Sequence, residues 1–265
     1  MSRRDPHLKK RLGQHHLRDG ALCRPLIDDL QPAGRRVLEI GPGGGVLTAE
    51  LLASGARVIA CEVDLEWAVA LSERVLEQRG QLDIVAIDAQ RIAWGALQPP
   101  TYVTGNLPFN VATRLIEALL PHGDRVPRAA FMVQKEVAER MVAQPGDRAY
   151  SSFSVLVAAQ ARARYLGTVR PGSFRPPPKV AAAFVGLRLM PPPLPSSRMA
   201  DFTRLVRLAF AQRRKTLRNS LASGLGRERA ETILRAAGLD FTCRAQDLDV
   251  EAFVALCEAV RELGE

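Results

Sequence analysis

From residue 36 to about residue 160 the chain alternates short apolar runs with longer segments in which apolar residues recur every three or four positions. Strand and helix patterns that take turns along a chain bury their apolar faces together as a parallel sheet with crossover helices. The spacing predicts strands at Arg36–Ile40, Val58–Glu62, Leu82–Ile87, Tyr102–Thr104 and Ala129–Gln134. Helices are expected over Leu47–Ser54, Leu65–Gln78 and Thr113–Leu120. After Ser151 a further helix runs to about Ala163, and two last strands, Leu166–Arg170 and Ala182–Leu189, are joined by the proline-rich turn Pro171–Pro178. Those two strands suit an antiparallel hairpin at the sheet edge. The expected fold is therefore α/β, with a seven-stranded, mostly parallel sheet.

The segment Met190-Pro191-Pro192-Pro193-Leu194-Pro195-Ser196-Ser197 neither continues a strand nor starts a helix, because its prolines remove backbone donors and fix φ. It divides the chain into a domain of residues 1–190, a linker of residues 191–197 and a second domain of residues 198–265. Phe202, Leu205, Val206, Leu208, Ala209 and Phe210 fall at helical spacing with no strand signal after them, so the second domain is expected to be small and helical. A chain of 265 residues, 47% of them apolar, is long enough for both cores. Cys23, Cys61, Cys243 and Cys257 show no CxxC or Cys/His metal spacing and read as reduced structural thiols. The first residues lack the apolar core of a signal peptide, and no apolar run reaches the ~18 residues that span a bilayer. A cytoplasmic location is expected, with no membrane partner. The net charge of +9 comes mainly from arginine, whose planar fork binds phosphate bidentately, which favours a polyanionic partner over an acidic metabolite.

Val37-Leu38-Glu39-Ile40-Gly41-Pro42-Gly43-Gly44-Gly45 is an apolar strand that runs into glycines and then a helix. Glycines permit a tight turn and a close approach of ligand to backbone. Glu62 ends the second strand, 21 residues after Gly41, where a carboxylate can accept both hydrogen bonds of a ribose diol. Asp88, after the third strand, can accept from an adenine amine or cap the segment that follows it. Together these residues read as a nucleoside cofactor site that suits either NAD or S-adenosylmethionine.

Thr104-Gly105-Asn106-Leu107-Pro108-Phe109 separates the two. Hydride transfer calls for a His, Tyr or Lys placed for proton traffic, and these strand ends offer no clear candidate. Sulfonium methyl transfer needs chiefly alignment and shielding from water. An adenine amine is a poor nucleophile because its lone pair is shared with the ring. Acceptors on its two N–H groups let the nitrogen pyramidalise and stabilise the charge that develops. The Asn106 side-chain oxygen and the Leu107 carbonyl are the candidate acceptors; Pro108 stiffens the turn and Phe109 stacks on the base. Catalysis would then rest on positioning and preorganised dipoles without a general base. The target base must be flipped out or unpaired, and Phe174, among prolines, offers a second stacking ring or, alternatively, is a buried turn residue.

Five motifs, Lys10-Arg11-Leu12-Gly13-Gln14-His15-His16-Leu17, Glu39-Ile40-Gly41-Pro42-Gly43, Gly105-Asn106-Leu107-Pro108-Phe109, Phe174-x-Pro176-x-Pro178-x-Val180 and Gln212-Arg213-Arg214-Lys215-Thr216-Leu217-Arg218-Asn219-Ser220, closely resemble the KsgA/RsmA ribosomal RNA adenine dimethyltransferases. The resemblance covers nearly the whole chain. It implies a Rossmann-like class I methyltransferase that uses S-adenosylmethionine and no metal. Two adjacent adenosines in the 3′-terminal hairpin of small-subunit RNA, in a pre-30S particle, would each receive two methyl groups on N6. It further implies that His15 and Leu17 border the cofactor, Gly41 and Glu62 hold its methionine and ribose ends, Asp88 meets its adenine, and Asn106 contacts cofactor and target amine. His15-His16 stands where the family usually has Asn-Phe, and Phe109 where it usually has Tyr, which keeps the stacking face and loses a hydroxyl. RNA contacts are expected from Lys9, Lys10 and Arg11 in the N-terminal arm and from Arg213, Arg214, Lys215 and Arg218. A monomer is expected. Two alternatives share these features: a large-subunit RNA adenine methyltransferase, and an RNA-binding assembly factor with reduced activity.

Overall fold

The structure is a computed structural model that describes residues 6, 15–74, 80–212 and 214–263. Its strands are β1 (His16–Leu17), β2 (Arg36–Ile40), β3 (Arg57–Glu62), β4 (Leu82–Ala86), β5 (Thr101–Asn106), β6 (Arg128–Gln134), β7 (Ala161–Val169), β8 (Phe174–Arg175) and β9 (Ala182–Leu189). Its α-helices are α1 (Arg24–Leu30), α2 (Val46–Ala53), α3 (Leu65–Arg74), α4 (Ala112–Leu119), α5 (Lys135–Val142), α6 (Ser152–Ala158), α7 (Met199–Ala209), α8 (Leu217–Leu225), α9 (Arg227–Ala236) and α10 (Val250–Glu262).

Seven strands form one sheet in the order β4-β3-β2-β5-β6-β9-β7. The first five are parallel, and β9 runs antiparallel to β6. Central strands covered on both faces need side chains that tolerate burial on both, and Val37–Ile40 and Ala129–Val133 are buried throughout. From β2 the chain adds β3 and then β4 on one side, and afterwards β5 and β6 on the other. Such a reversal opens a crevice at the carboxyl ends of β2 and β5, which is where ligands sit in open α/β sheets. The two strands run unusually close there. Ile40 pairs with Gly105, and a Cβ at Gly105 would overlap the Ile40 carbonyl oxygen. A separate ribbon pairs β1 antiparallel with β8, with His16 opposite Arg175 and Leu17 opposite Phe174.

The chain divides into two compact units, Met1–Ala138 with Arg162–Met190, and Glu139–Ala161 with Pro191–Glu265. The expected division has its break at the proline linker alone; Glu139–Ala161 joins the helical unit because α6 packs against α7. In that unit Phe202, Leu205, Val206 and Ala209 of α7 are buried, while Leu208 and Phe210 are half-exposed. Phe210 stacks on Phe253 at 5.9 Å, and the buried Tyr150 hydroxyl donates to the Leu248 carbonyl at 2.8 Å. Four elements, α6, β7, α5 and α1, differ from expectation. The helix after Ser151 stops at Ala158, and β7 begins at Ala161, because Ala161-Arg162-Ala163-Arg164 alternates small and charged residues with the period of a strand. Helix α5 follows β6 with no intervening turn residue, and α1 spans only seven residues from Arg24. Neither leaves a periodic signal long enough to separate from its surroundings.

Candidate active site

The turn after β2 holds Gly41, Gly43 and Gly45 at φ 65°, 48° and 81°, the left-handed region that side chains with a Cβ rarely adopt. The turn is also crowded: a Cβ on Gly43 would lie 2.7 Å from His16 Nε2. At the end of β3 Glu62 is buried, and both of its oxygens are engaged. Oε2 accepts from the Gly43 N–H and Oε1 from the Asp64 N–H, each at 3.0 Å. Burial pushes its proton affinity up, and these hydrogen bonds to the charged form oppose that rise. A carboxylate oxygen carries two lone pairs, so Glu62 fixes the glycine turn and keeps acceptor capacity toward the space it lines. Asp88 Oδ1 caps the following turn by accepting from the Gln90 N–H at 2.9 Å, and the residue lines the same cleft. Beneath the turn, the fully buried Glu39 accepts from the Thr48 hydroxyl at 2.7 Å. Burial, with Glu62 nearby as a smaller cause, pushes its pKa up to about 8.

Across the switch point, β5 ends at Asn106. Its Nδ2 donates to the His15 carbonyl at 2.7 Å. The side-chain oxygen has no hydrogen bond from any described residue and remains an acceptor. The Leu107 N–H donates to the Met132 carbonyl at 3.0 Å and ties the turn to β6. The Pro108 carbonyl accepts from Val111 and Ala112 and so starts α4. Phe109 is half-buried, and the His15 ring lies 5.8 Å from it at a 32° tilt. His15 Nδ1 in turn lies 2.9 Å from the Pro176 carbonyl oxygen.

These elements line one cleft that opens to solvent. His15, Gly41, Glu62, Asp88, Asn106, Leu107, Pro108 and Phe109, all expected from sequence, line it together. Leu17 does not; it packs in the core and borders a smaller cavity beneath the glycine turn, beside Glu39. Phe174 requires a correction. It is fully buried in the core cluster and presents no face to a base, because it sits opposite the buried Leu17 on the inner side of the β1–β8 ribbon. Lys9, Lys10, Arg11 and Arg213 lie outside the described residues. Arg214 and Lys215 are exposed. Arg218 turns inward instead, 3.5 Å from Glu231 and over the Phe241 ring.

Two further contributors were not legible from sequence. His16 lines the cleft and meets Trp67 edge-on at 4.4 Å. Arg74 lies over that same Trp67 ring and donates to the Gly44 carbonyl at 2.9 Å, so α3 braces the glycine turn. Among the described residues no group of three His, Cys, Asp or Glu is placed to hold a metal ion, and no helix is long and apolar enough to cross a membrane.

Residues 6–262 match the family model described as ribosomal RNA adenine dimethylase. The chain belongs to that family. Curated members named ribosomal RNA small subunit methyltransferase A include one from Acidithiobacillus ferrooxidans, 40% identical over 98% of this chain and 97% of its own length. Another, from Pseudomonas aeruginosa, is 40% identical over 96% of this chain and 95% of its own length. Among solved structures, a dimethyladenosine transferase from Plasmodium falciparum superposes with a TM-score of 0.78 at 25% identity, covering 94% of this chain and 98% of that one. The 23S rRNA methyltransferase ErmE superposes with a TM-score of 0.67 at 26% identity, covering 92% and 99%. For this adenine dimethylase the sheet and its switch point are thus those of a class I S-adenosylmethionine-dependent methyltransferase.

Proposed function

We propose that this protein transfers methyl groups from S-adenosylmethionine to the N6 amines of two adjacent adenosines in the 3′-terminal hairpin of small-subunit ribosomal RNA, two to each. One observation carries the reading. A carboxamide, Asn106, is held by the His15 backbone in the cleft that is also lined by the left-handed glycine turn, which the buried Glu62 braces.

The residues fit the donor. Glycines at positive φ leave the backbone open to a close-lying ligand, and Glu62 and Asp88 supply acceptors for a ribose diol and an adenine amine along one wall. When bound, S-adenosylmethionine supplies an electrophilic methyl group. The chain supplies position. The Asn106 side-chain oxygen and the Leu107 carbonyl accept from the two N–H groups of the target amine, and Phe109 stacks on its ring. Those acceptors stabilise the charge that develops on nitrogen, and water removes the proton once the amine has become acidic. His15 keeps both Asn106 and Phe109 in place, through its carbonyl and its ring. Exposed Arg214 and Lys215 meet RNA phosphates in this reading. A pre-30S particle as the substrate, a single copy as the working unit and a cytoplasmic site of action belong to the same proposal.

Small-subunit specificity is supported by relatives at 40% identity over nearly full length that carry the small-subunit name, against 26% for the large-subunit ErmE. Incubating the purified protein and labelled donor with small-subunit particles and, in parallel, with large-subunit RNA tests it. Label in N6,N6-dimethyladenosine of the small-subunit RNA is expected; label confined to large-subunit RNA, or none in either, would overturn the proposal.

A further inference from the structure

We infer that the β1–β8 ribbon is a phosphate-binding ridge, built from Arg175, Lys179 and Arg18, which grips the RNA backbone beside the extruded adenosine. The inference rests on the proposed RNA reading and adds to it a contact surface on the catalytic unit itself.

The ribbon has two unlike faces. Residues directly opposite in an antiparallel pair point to the same side, and successive residues point to opposite sides. Leu17 and Phe174 are paired and buried, so they form the inner face. His16 and Arg175 are paired and form the other face, and His16 lines the cleft. Arg175 thus stands on the ribbon face that borders the cofactor space, and it is exposed. Phe174 acts as the anchor of this device.

Stiffness comes from several independent restraints. The Arg18 N–H donates to the Ser173 carbonyl at 3.0 Å, and Arg18 Nε donates to the Phe174 carbonyl at 3.2 Å. His15 Nδ1 lies 2.9 Å from the Pro176 carbonyl oxygen while its ring contacts Phe109. Three consecutive prolines, Pro176 to Pro178, then lead to exposed Lys179 with few backbone states to lose on binding. The loop that carries the cations is thereby coupled to the residue proposed to stack on the target base.

The charges of these cations are not neutralised, although Arg18 Nε is spent on the uncharged Phe174 carbonyl. Arg18, Arg175 and Lys179 are exposed, and none has an acidic partner among the described residues. Elsewhere many exposed arginines are neutralised, as Arg164 is by Asp29 and Arg204 by Asp201. Three unpaired positive charges on a rigid edge beside a cleft present a field that attracts a polyanion. Flipping a base swings its flanking phosphates toward the mouth of the pocket that receives it, and arginine binds a phosphate bidentately. A nucleic acid backbone is the partner that matches both the charge and the position.

The test compares two double variants with equal loss of charge. Arg175→Ala with Lys179→Ala removes the ridge. Arg35→Ala with Arg57→Ala removes two exposed cations at the opposite, amino-terminal ends of β2 and β3. Binding of a fluorescent transcript of the small-subunit 3′-terminal hairpin is measured by anisotropy from 50 to 300 mM salt, with donor affinity measured by calorimetry. The ridge variant is expected to bind RNA about tenfold more weakly, and the slope of log affinity against log salt is expected to fall by roughly 1 to 2, at unchanged donor affinity. The control variant should keep at least the greater part of both. Equal losses in the two variants, or no loss in the ridge variant while the unsubstituted chain binds, overturns the ridge alone. Failure of the unsubstituted chain to bind the hairpin overturns the ridge and the functional reading together.

Discussion

Replacing Glu39 by Gln should flatten the pH dependence of stability, and the sign follows from where the proton sits. In the folded chain burial keeps the carboxyl protonated up to about pH 8, whereas unfolding returns it to its ordinary value of 4.5. Between those values Glu39 gives the native state more protons than the unfolded state, so its contribution to stability is fully present below pH 4.5 and is lost as pH rises toward 8. A displacement of that size corresponds to a loss on the order of 4–5 kcal/mol across the window, after which the difference levels off. Gln carries no charge and can still accept from the Thr48 hydroxyl, so it removes the pH-dependent part. Any fixed cost of its amide group shifts the whole curve and leaves its slope alone. Both tryptophans of the chain, Trp67 and Trp94, are buried in the unit that contains Glu39, so their fluorescence follows the unfolding of that unit in urea. Measured at pH 5, 6.5, 8 and 9, the wild-type chain should lose stability relative to Glu39→Gln by several kcal/mol. Parallel profiles for the two proteins would refute the reasoning and place the Glu39 proton in contact with solvent.

Glu62→Gln sets an amide NH₂ against one of two backbone N–H groups and leaves that donor unpaired, at about 1–3 kcal/mol. Donor affinity should fall about 10- to 100-fold by calorimetry with RNA affinity unchanged; an unchanged donor affinity would remove Glu62 from the site. Gly105→Ala forces β5 away from the Ile40 carbonyl, an overpacking cost of about 1–3 kcal/mol, and the unfolding midpoint should drop by roughly 4–8 °C. A midpoint within a degree of wild type would show that the two strands separate freely.

Much of the scaffold is readable in the chain, and the reasons are local. Arg36–Ile40 and Ala182–Leu189 are strands of ordinary length that stop at or one residue before a glycine or proline, and their ends coincide with the observed ones. The glycine turn, Glu62 and Asn106 are legible because their chemistry depends on spacing along one parallel sheet. What fails is whatever depends on distant partners. Phe174 among prolines looks available to a ligand, and its burial is set by pairing with Leu17, far away in sequence. Arg218 sits in a basic run, but Glu231 and Phe241 on later segments draw it inward. The grip of His15 on Asn106 spans 91 residues and is made by a backbone carbonyl, which no side-chain pattern can announce. The additional member of the helical unit, Glu139–Ala161, is likewise placed by packing against α7 across the proline linker in sequence.

The central claim is that a fixed carboxamide presents the target amine to the methyl donor. Single-turnover methyl transfer by Asn106→Ala, with small-subunit particles and donor at saturating concentrations, tests it most directly. The rate is predicted to fall by about 10²-fold or more, as for loss of one preorganised polar group, with RNA affinity nearly unchanged. A variant that transfers methyl groups at the wild-type rate would contradict the account.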